Sequence, residues 1–423
     1  MSSRGEIVGA VDFGSHAVRV LIARRDPEGA IRVIGHGAAS GRGCVSQGVI
    51  QDLSAAQTAF GRALGDAEQA AHVHVRTLFC GINGRSVETS IQEGRVKLED
   101  GIVEPRHLKA ALDQASRTIL AADKQITSSV KAQEWFVDDQ RVINPVGIRG
   151  QVLKIREHFA CLPAVIADNL DGCVQAQGRE IENFIFLPLA SALGCLTPED
   201  MELGIAVLDI GHSTTGLALY RDHSVIDTCC FNLGGNHITR DVVAGLQISF
   251  EEAEQLVREY GVAEYRIRAG CEPAEADDAQ ADAPLKLRTA VRGAPDIVPR
   301  GKLDDIIYRR AREILMKVLT HLESEELTRH LVRGVVLAGG TGALKNYPSL
   351  SETLFHVPCQ VGLPDTVEFP HRAIYTPEFT AIAGILRHGF AYRDAVRRGG
   401  LDARTPVHGG LRGLLELIRR YFF

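Results

Sequence analysis

The sequence predicts an α/β chain of two duplicated lobes with a separate α/β insert, and three observations carry that reading. A chain of 423 residues exceeds the roughly 250–300 at which one core stops growing, so more than one unit is expected. A strand–turn–strand pattern occurs twice. VDFGSHAVRV at 11–20 and VLDIGHSTTGLALY at 207–220 are each an apolar strand ending in Asp, an x-Gly polar turn and a second apolar strand. Between the two lies enough strand and helix periodicity for an independent subdomain. The repeat is far too long for a solenoid, so it reads as duplication of a whole lobe.

Composition removes several classes. With 45% hydrophobic and 24% charged residues and a net charge of −6, the chain is neither collagen-like nor wholly disordered. Its mild acidity argues against a surface given over to nucleic acid. No apolar run reaches the roughly 20 residues of a spanning helix. The start, MSSRGEIVGAVDFG, lacks a secretory pattern, so a cytoplasmic location is the expectation. None of the nine cysteines forms a CxxC pair. Adjacent Cys229 and Cys230 therefore read as small buried apolar residues without a metal or redox role.

Taken in order, each hairpin runs through a charged turn, 26–29 and 221–223, into a third strand. Residues 54–71 have helical spacing and 75–82 read as a buried strand. In the insert, 86–97 alternate like a strand pair, 105–120 look helical with Glu104 and Pro105 at the start, and 130–161 are strand-like. Residues 250–260 form an amphipathic helix. The stretch 269–299, rich in Ala, Asp, Glu, Pro and Gly, reads as containing a mobile loop. A long helix spans 303–322, and a buried strand at 332–337 breaks into Gly339, Gly340, Thr341 and Gly342.

Four glycine turns carry the chemistry. Each D-x-G turn sets main-chain N–H groups and small hydroxyls past a strand end, where oriented amides hold phosphate without a basic side chain. Asp12 and Asp209 offer the carboxylate oxygens that a hydrated Mg²⁺ prefers. One such turn alone is more simply a hairpin turn. Two more follow: AGGTGAL at 338–344, suited to a base or ribose, and NLGGNHITRDV at 232–242, with Gly234 and Gly235 ahead of a helix. Together they predict a nucleotide cleft between the lobes. Facing loops would set the imidazoles of His16 and His212 on one phosphate; the alternative is two turn residues pointing to solvent.

The tail has its own signature. In GGLRGLLELIRRYFF at 409–423, Leu411, Leu414, Leu415, Ile418, Tyr421 and Phe422 cluster on one side of a helix at about 100° per residue. Arg412, Glu416, Arg419 and Arg420 take the other. A basic amphipathic helix of this kind suits the bilayer interface, each arginine adding about 1 kcal/mol near anionic lipid. The alternative is a helix packed on the body of its own chain. The polar stretch 392–408 ahead of it would be a tether with a root-mean-square reach of roughly 20–25 Å.

These residues resemble the actin, Hsp70 and sugar-kinase superfamily, and within it the FtsA family of bacterial cell-division proteins. VDFGSHAVRVLIA, GVIQDL at 48–53, INPVGIRG at 143–150, FLPLASALGCLTPEDMELGIAVLDIG, LGGNHITRD, VVLAGGTGAL and the tail follow the family's order over nearly the whole chain. The resemblance implies an actin-like, ribonuclease-H-like pair of lobes. The first would be 1–85 and 162–203, completed by about 375–392, with the family-specific insert at 86–161. The second would be 204–374, with a smaller subdomain at about 243–310, before a linker at 393–408 and a membrane-targeting helix at 409–423. It implies ATP with Mg²⁺. Gly14, Ser15 and His16 would lie on the first phosphate loop, and Gly211, His212, Ser213, Thr214 and Thr215 on the second. Gly339, Gly340 and Thr341 would flank adenosine, Glu254 would sit on the ribose helix, and Asp12 and Asp209 would lie nearest the metal. The implied function is an ATP-binding adaptor that polymerises, tethers FtsZ to the inner membrane and recruits later division proteins. FtsZ's C-terminal peptide would dock near 235–310.

The chain departs from the family in the loops. The second loop usually reads DIGGGT-x-D and here reads DIGHSTTG, so His212 and Ser213 replace glycines and Gly216 replaces an acid. Ala17 and Val257 stand where lysine is common. Weak binding with slow or absent hydrolysis is the expectation, and no catalytic residue is identified. A sugar kinase would need a catalytic aspartate and a sugar site, a pilus-assembly relative lacks the tail, and an Hsp70-type chaperone would need a further domain.

Overall fold

The computed structural model describes residues 5–120, 124–142, 144–269, 281–288 and 295–397. Two five-stranded sheets share one topology. In the first, the hairpins Glu6–Phe13, Ala17–Arg25 and Ile31–Ser40 run antiparallel, and Glu6–Phe13 pairs in parallel with Thr77–Ile82, which is flanked by Glu180–Phe186. In the second, Ile205–Ile210, Thr215–Arg221 and Ser224–Phe231 are antiparallel, followed in parallel by Val335–Ala338 and Cys359–Val361. Even the register repeats: Asp12 faces Arg19 and Asp209 faces Gly216. The chain therefore has the actin-like, duplicated α/β architecture that its two hairpins predict.

The central strands are buried on both faces because helices cover both sides. Leu53–Ala71 lies over one face of the first sheet, with Asp52 capping it by accepting from the Ala55 N–H. Its small residues let the sheet approach: a Cβ on Gly37 would sit 2.0 Å from the Ala63 carbonyl oxygen. Leu187–Cys195 runs between the two sheets, with seven of its nine residues buried. Thr380–Arg397 packs across it, where a Cβ on Gly384 would meet the Ala190 carbonyl at 1.7 Å. On the second lobe, Gly235–Leu246, Phe250–Tyr260 and Arg300–Ser324 close a separate core around Leu208, Ile238, Leu303 and Leu315.

Strands Glu88–Lys97, Val152–Pro163, Lys124–Val137 and Gln140–Val142 form a third sheet, with helix Pro105–Leu120 and their own core around Leu153 and Ile155. Residues 88–97 make one continuous strand rather than the expected pair, because ten consecutive positions find partners on Val152–Cys161. Residues 393–397, the start of the stretch 393–408 expected as a linker, are helical, and 398–408 lie outside the described residues. Helix Thr380–Arg397 carries on through 393–397, held by Arg393 on Glu182 and the Ile7 carbonyl and by Asp394 on Arg25. The amphipathic segment 409–423 lies outside the described residues, as does most of 269–299, from which only a short hairpin, Pro284–Lys286 with Ile297–Pro299, is described.

Candidate functional site

The two D-x-G loops face one another across the cleft between the lobes. Each follows a strand that ends in its aspartate, and the shared register brings both carboxylates to the cleft floor. Asp12 and Asp209 are 8% and 7% exposed. Burial pushes the carboxyl of each up to about 6, with the charge of Arg19 pulling both back; Asp12 adds to the rise at Asp209. The Ser191 hydroxyl donates to Asp209 at 2.9 Å. Two acceptor-only groups forced together in a buried pocket are a donor set that a hard divalent cation relieves, so these residues fit Mg²⁺.

Above them the loops touch directly. Ser15 and Ser213 hydroxyls lie 2.7 Å apart, and the Gln47 N–H reaches each at 3.2 Å. Asn83 donates to the Thr214 hydroxyl at 3.0 Å. The two unexpected side chains thus turn toward the opposite lobe instead of outward. His212 stacks near His16, ring centroids 5.5 Å apart, and neither points freely to solvent. Burial lowers the pKa of both, that of His212 to about 4.

Glu254 closes the mouth. It pairs with Arg42 from the loop after Ile31–Ser40, while Arg42 stacks 5.4 Å from the Phe250 ring and approaches His16 Nδ1 at 3.3 Å. Arg258 stands 3.7 Å from the same carboxylate. Burial opposes ionisation of Glu254, but the hydrogen bond and charge of Arg42 outweigh it and hold the pKa low. On the far wall, Gly339 takes φ +78°, a conformation that L side chains avoid, with Asp209 Oδ1 2.6 Å from where a Cβ would be. Thr341 donates to the Gly211 carbonyl at 3.0 Å.

Of the sixteen residues singled out from sequence, fourteen line this cleft. The other two stand behind it. Thr215 is fully buried and donates to the Leu233 carbonyl, while Gly234 packs its backbone against Gly211, where a Cβ would be 2.7 Å from the carbonyl oxygen. Both shape the loops from the rear.

Sequence reading missed Arg19, Arg42, Asn83 and Glu378. Arg19 lines the cleft, donating to Glu378 at 2.7 Å beside the Phe379 ring. It shares a strand face with Ala17, two residues away, so a cation remains on this wall although the usual lysine is absent. That alternation was the available signal. Arg258, next to Val257, does the same for the second missing lysine. Gly216 has a structural cause: a Cβ there would meet Pro188 at 2.4 Å, so the inter-sheet helix occupies the space of an acid.

Comparison with known proteins agrees. The family model described as cell division protein FtsA matches residues 206–384. FtsA of Neisseria meningitidis is 27% identical over 423 residues, 100% of this chain and 99% of its own. FtsA of Pseudomonas aeruginosa is 27% identical over 386 residues, 91% and 89% of the two chains. FtsA of Escherichia coli K12 is 24% identical over 392, 91% and 90%. Among solved structures, a PilM–PilN type IV pilus biogenesis complex superposes with a TM-score of 0.62 at 15% identity, covering 90% of this chain and 98% of that one. MreB5 of Spiroplasma citri bound to AMPPNP superposes at 0.54 with 14% identity, covering 93% and 99%. Motif order, duplicated lobes and full-length relatives together make this chain similar to the FtsA cell-division proteins and actin-like in fold, with a sequence of its own in the two D-x-G loops.

Proposed function

We propose that this chain is an ATP-binding, actin-like adaptor of cell division that polymerises, holds FtsZ filaments at the cytoplasmic face of the inner membrane at the division site, and recruits later division proteins. The observation that carries the reading is the pair of register-matched D-x-G loops meeting over two buried carboxylates, in a chain whose relatives are named for cell division. Main-chain amides of both loops, with the Ser15, Ser213 and Thr214 hydroxyls, would take the phosphates. Asp12 and Asp209 would hold Mg²⁺, which would offset phosphate charge. Gly339, Gly340 and Thr341 would flank the base, with Glu254 on the ribose.

In that scheme the hydroxyls of Ser15 and Ser213 exchange their mutual bond for phosphate oxygens. The nucleotide thereby joins the lobes and selects the conformer that fits a filament neighbour. Gly216 stands where the family carries an acid that helps to organise the water around Mg²⁺, so binding with slow or absent turnover is expected. Among the described residues no helix is long and apolar enough to cross a membrane. Attachment would fall to 409–423, each tail binding reversibly and a filament binding firmly through linked sites. The FtsZ peptide would dock on the lobe near 235–310.

Titration of the purified chain with a fluorescent ATP analogue, with and without Mg²⁺, tests the cleft. Saturable binding with little phosphate release is expected, and an absence of binding overturns the nucleotide role. Co-sedimentation with anionic liposomes, with and without 409–423, tests the tail; equal pelleting overturns it. Rapid turnover would favour the phosphotransferase reading instead.

A further inference from the structure

Two groups of potential metal ligands occur among the described residues. His16, His212 and Glu254 form one, but Arg42 and Arg258 already crowd its only carboxylate, so that corner repels cations. The other lies away from the cleft, on the outer strand of the second sheet. Asp227 and Cys229 alternate along Ser224–Phe231 and therefore share a face. His321, near the end of Arg300–Ser324, meets that face.

We propose that Asp227, Cys229 and His321 bind one divalent transition cation of the zinc class, with a fourth position open to water. Three observations carry this. The ligand atoms of all three residues lie within 4.8 Å of one another. They comprise one thiol sulfur, one imidazole nitrogen and one carboxylate oxygen, the mixed set that zinc accepts and that Mg²⁺ or Ca²⁺ does not select. The site is half-buried at a sheet edge, with Asp227 and His321 side chains 24% and 26% exposed, so an ion has a path in and the protein a hold on it.

One ligand pair already stands close to its loaded separation. His321 Nε2 and Asp227 Oδ2 are 2.7 Å apart, joined by a proton. Two ligands bonded at about 2.0 Å in a tetrahedron stand about 3.3 Å from each other. The pair therefore has to open by about 0.6 Å, within the reach of one side-chain rotation. On loading, the Cys229 thiol and the His321 Nε2 each give a proton to solvent, the hydrated ion sheds water, and metal–sulfur, metal–nitrogen and metal–oxygen bonds form to Cys229, His321 and Asp227. The Phe231 ring, edge-on to His321 at 5.8 Å, fixes the imidazole from below. No short sequence motif announces the site, because its third ligand arrives from a distant helix.

Position suggests the effect. The same strand meets the insert, whose His158 and Thr89 bond the hydroxyl and carbonyl of Thr228 at 2.8 and 2.7 Å. A metal on the other face of Thr228 would staple this strand to the long helix and stiffen the seam between insert and second lobe.

The test is cobalt titration of the reduced, chelator-treated full chain in the absence of nucleotide. We expect one equivalent to produce the near-ultraviolet thiolate-to-cobalt band and visible tetrahedral bands, both abolished by zinc and untouched by Mg²⁺. Cys229→Ser should remove the thiolate band, and His321→Ala should weaken binding at least tenfold. No thiolate band, or one that survives in Cys229→Ser, overturns the proposal. Cys229→Ala is a small change that serves if the serine variant misfolds. A nucleotide titration on the same sample reads the cleft separately, so failure of one reading leaves the other standing.

Discussion

Replacing Asp12 with Asn should make the nucleotide-free protein more stable at neutral pH. The carboxyl is pushed from 3.8 to about 6 by burial. The folded state thus holds its proton more tightly than the unfolded chain does. This contribution to stability is complete below the unfolded value near 3.8 and is lost as pH rises from there through 6. At about 1.4 kcal/mol per unit, the shift corresponds to a destabilisation of about 3 kcal/mol above pH 7. Asp209 carries a similar penalty, but Asp12 is one of its causes, so the two do not add. Asn keeps the shape and removes the charge. Urea or thermal unfolding of wild type and Asp12→Asn between pH 3 and 8 should show the variant gaining about 2–3 kcal/mol at pH 7.5, about 1 kcal/mol at pH 4.5 and almost nothing near pH 3. Taking the difference between the two proteins cancels carboxylates such as Glu254, whose lowered pKa acts in the opposite sense. Mg²⁺ with ATP should narrow the gap, because the wild type then gains a counter-charge that the variant cannot use. Equal stabilities at pH 7.5, or an advantage of the same size at pH 4.5, would refute the reasoning.

Three further outcomes follow from particular contacts. Gly216→Asp, which restores the family's acid, should cost about 1–3 kcal/mol against Pro188 and bring no phosphate release, read by a thermal melt and a turnover assay. Arg393→Ala strips the guanidinium from Glu182, leaving it only the Thr77 hydroxyl, and removes the donor to the Ile7 carbonyl, so unfolding should become about 2–4 kcal/mol easier. Arg393→Lys should recover less than half of that loss, since an ammonium cannot reproduce the fork. Glu254→Gln should release Arg42 at a cost of only about 1 kcal/mol in global stability, yet speed protease cleavage of the 41–48 loop.

Local signals made most of the fold readable. Each hairpin is encoded within about twenty residues, and the Asp, Gly and hydroxyl positions of each loop are fixed by a strand end, so most of the residues that line the cleft were legible. What escaped was brought together from a distance. Arg42 meets Glu254 212 residues away, and Arg19 meets Glu378 359 away. No pattern along the chain marks such pairs. The extra turn at 393–397 escaped for the same reason: its composition reads as a tether, yet Arg393, Asp394 and Arg397 find acids and bases on the first strand and its neighbours. At Gly216 the sequence shows the missing acid but not its neighbour, Pro188, which would lie 2.4 Å from a Cβ there.

Strand Glu6–Phe13 joins two distant places. At one end Glu6 is clamped by Arg25 and Arg397, the last described residue of the final helix. At the other, Asp12 leads straight into the first D-x-G loop. The strand is stiff, spanning about 20 Å from Glu6 to Asp12 at some 3.3 Å per residue, and held by neighbours on both sides. The last described turn of the chain and the floor of the cleft are thus two ends of one stiff element, so a displacement of the first strand shifts both together.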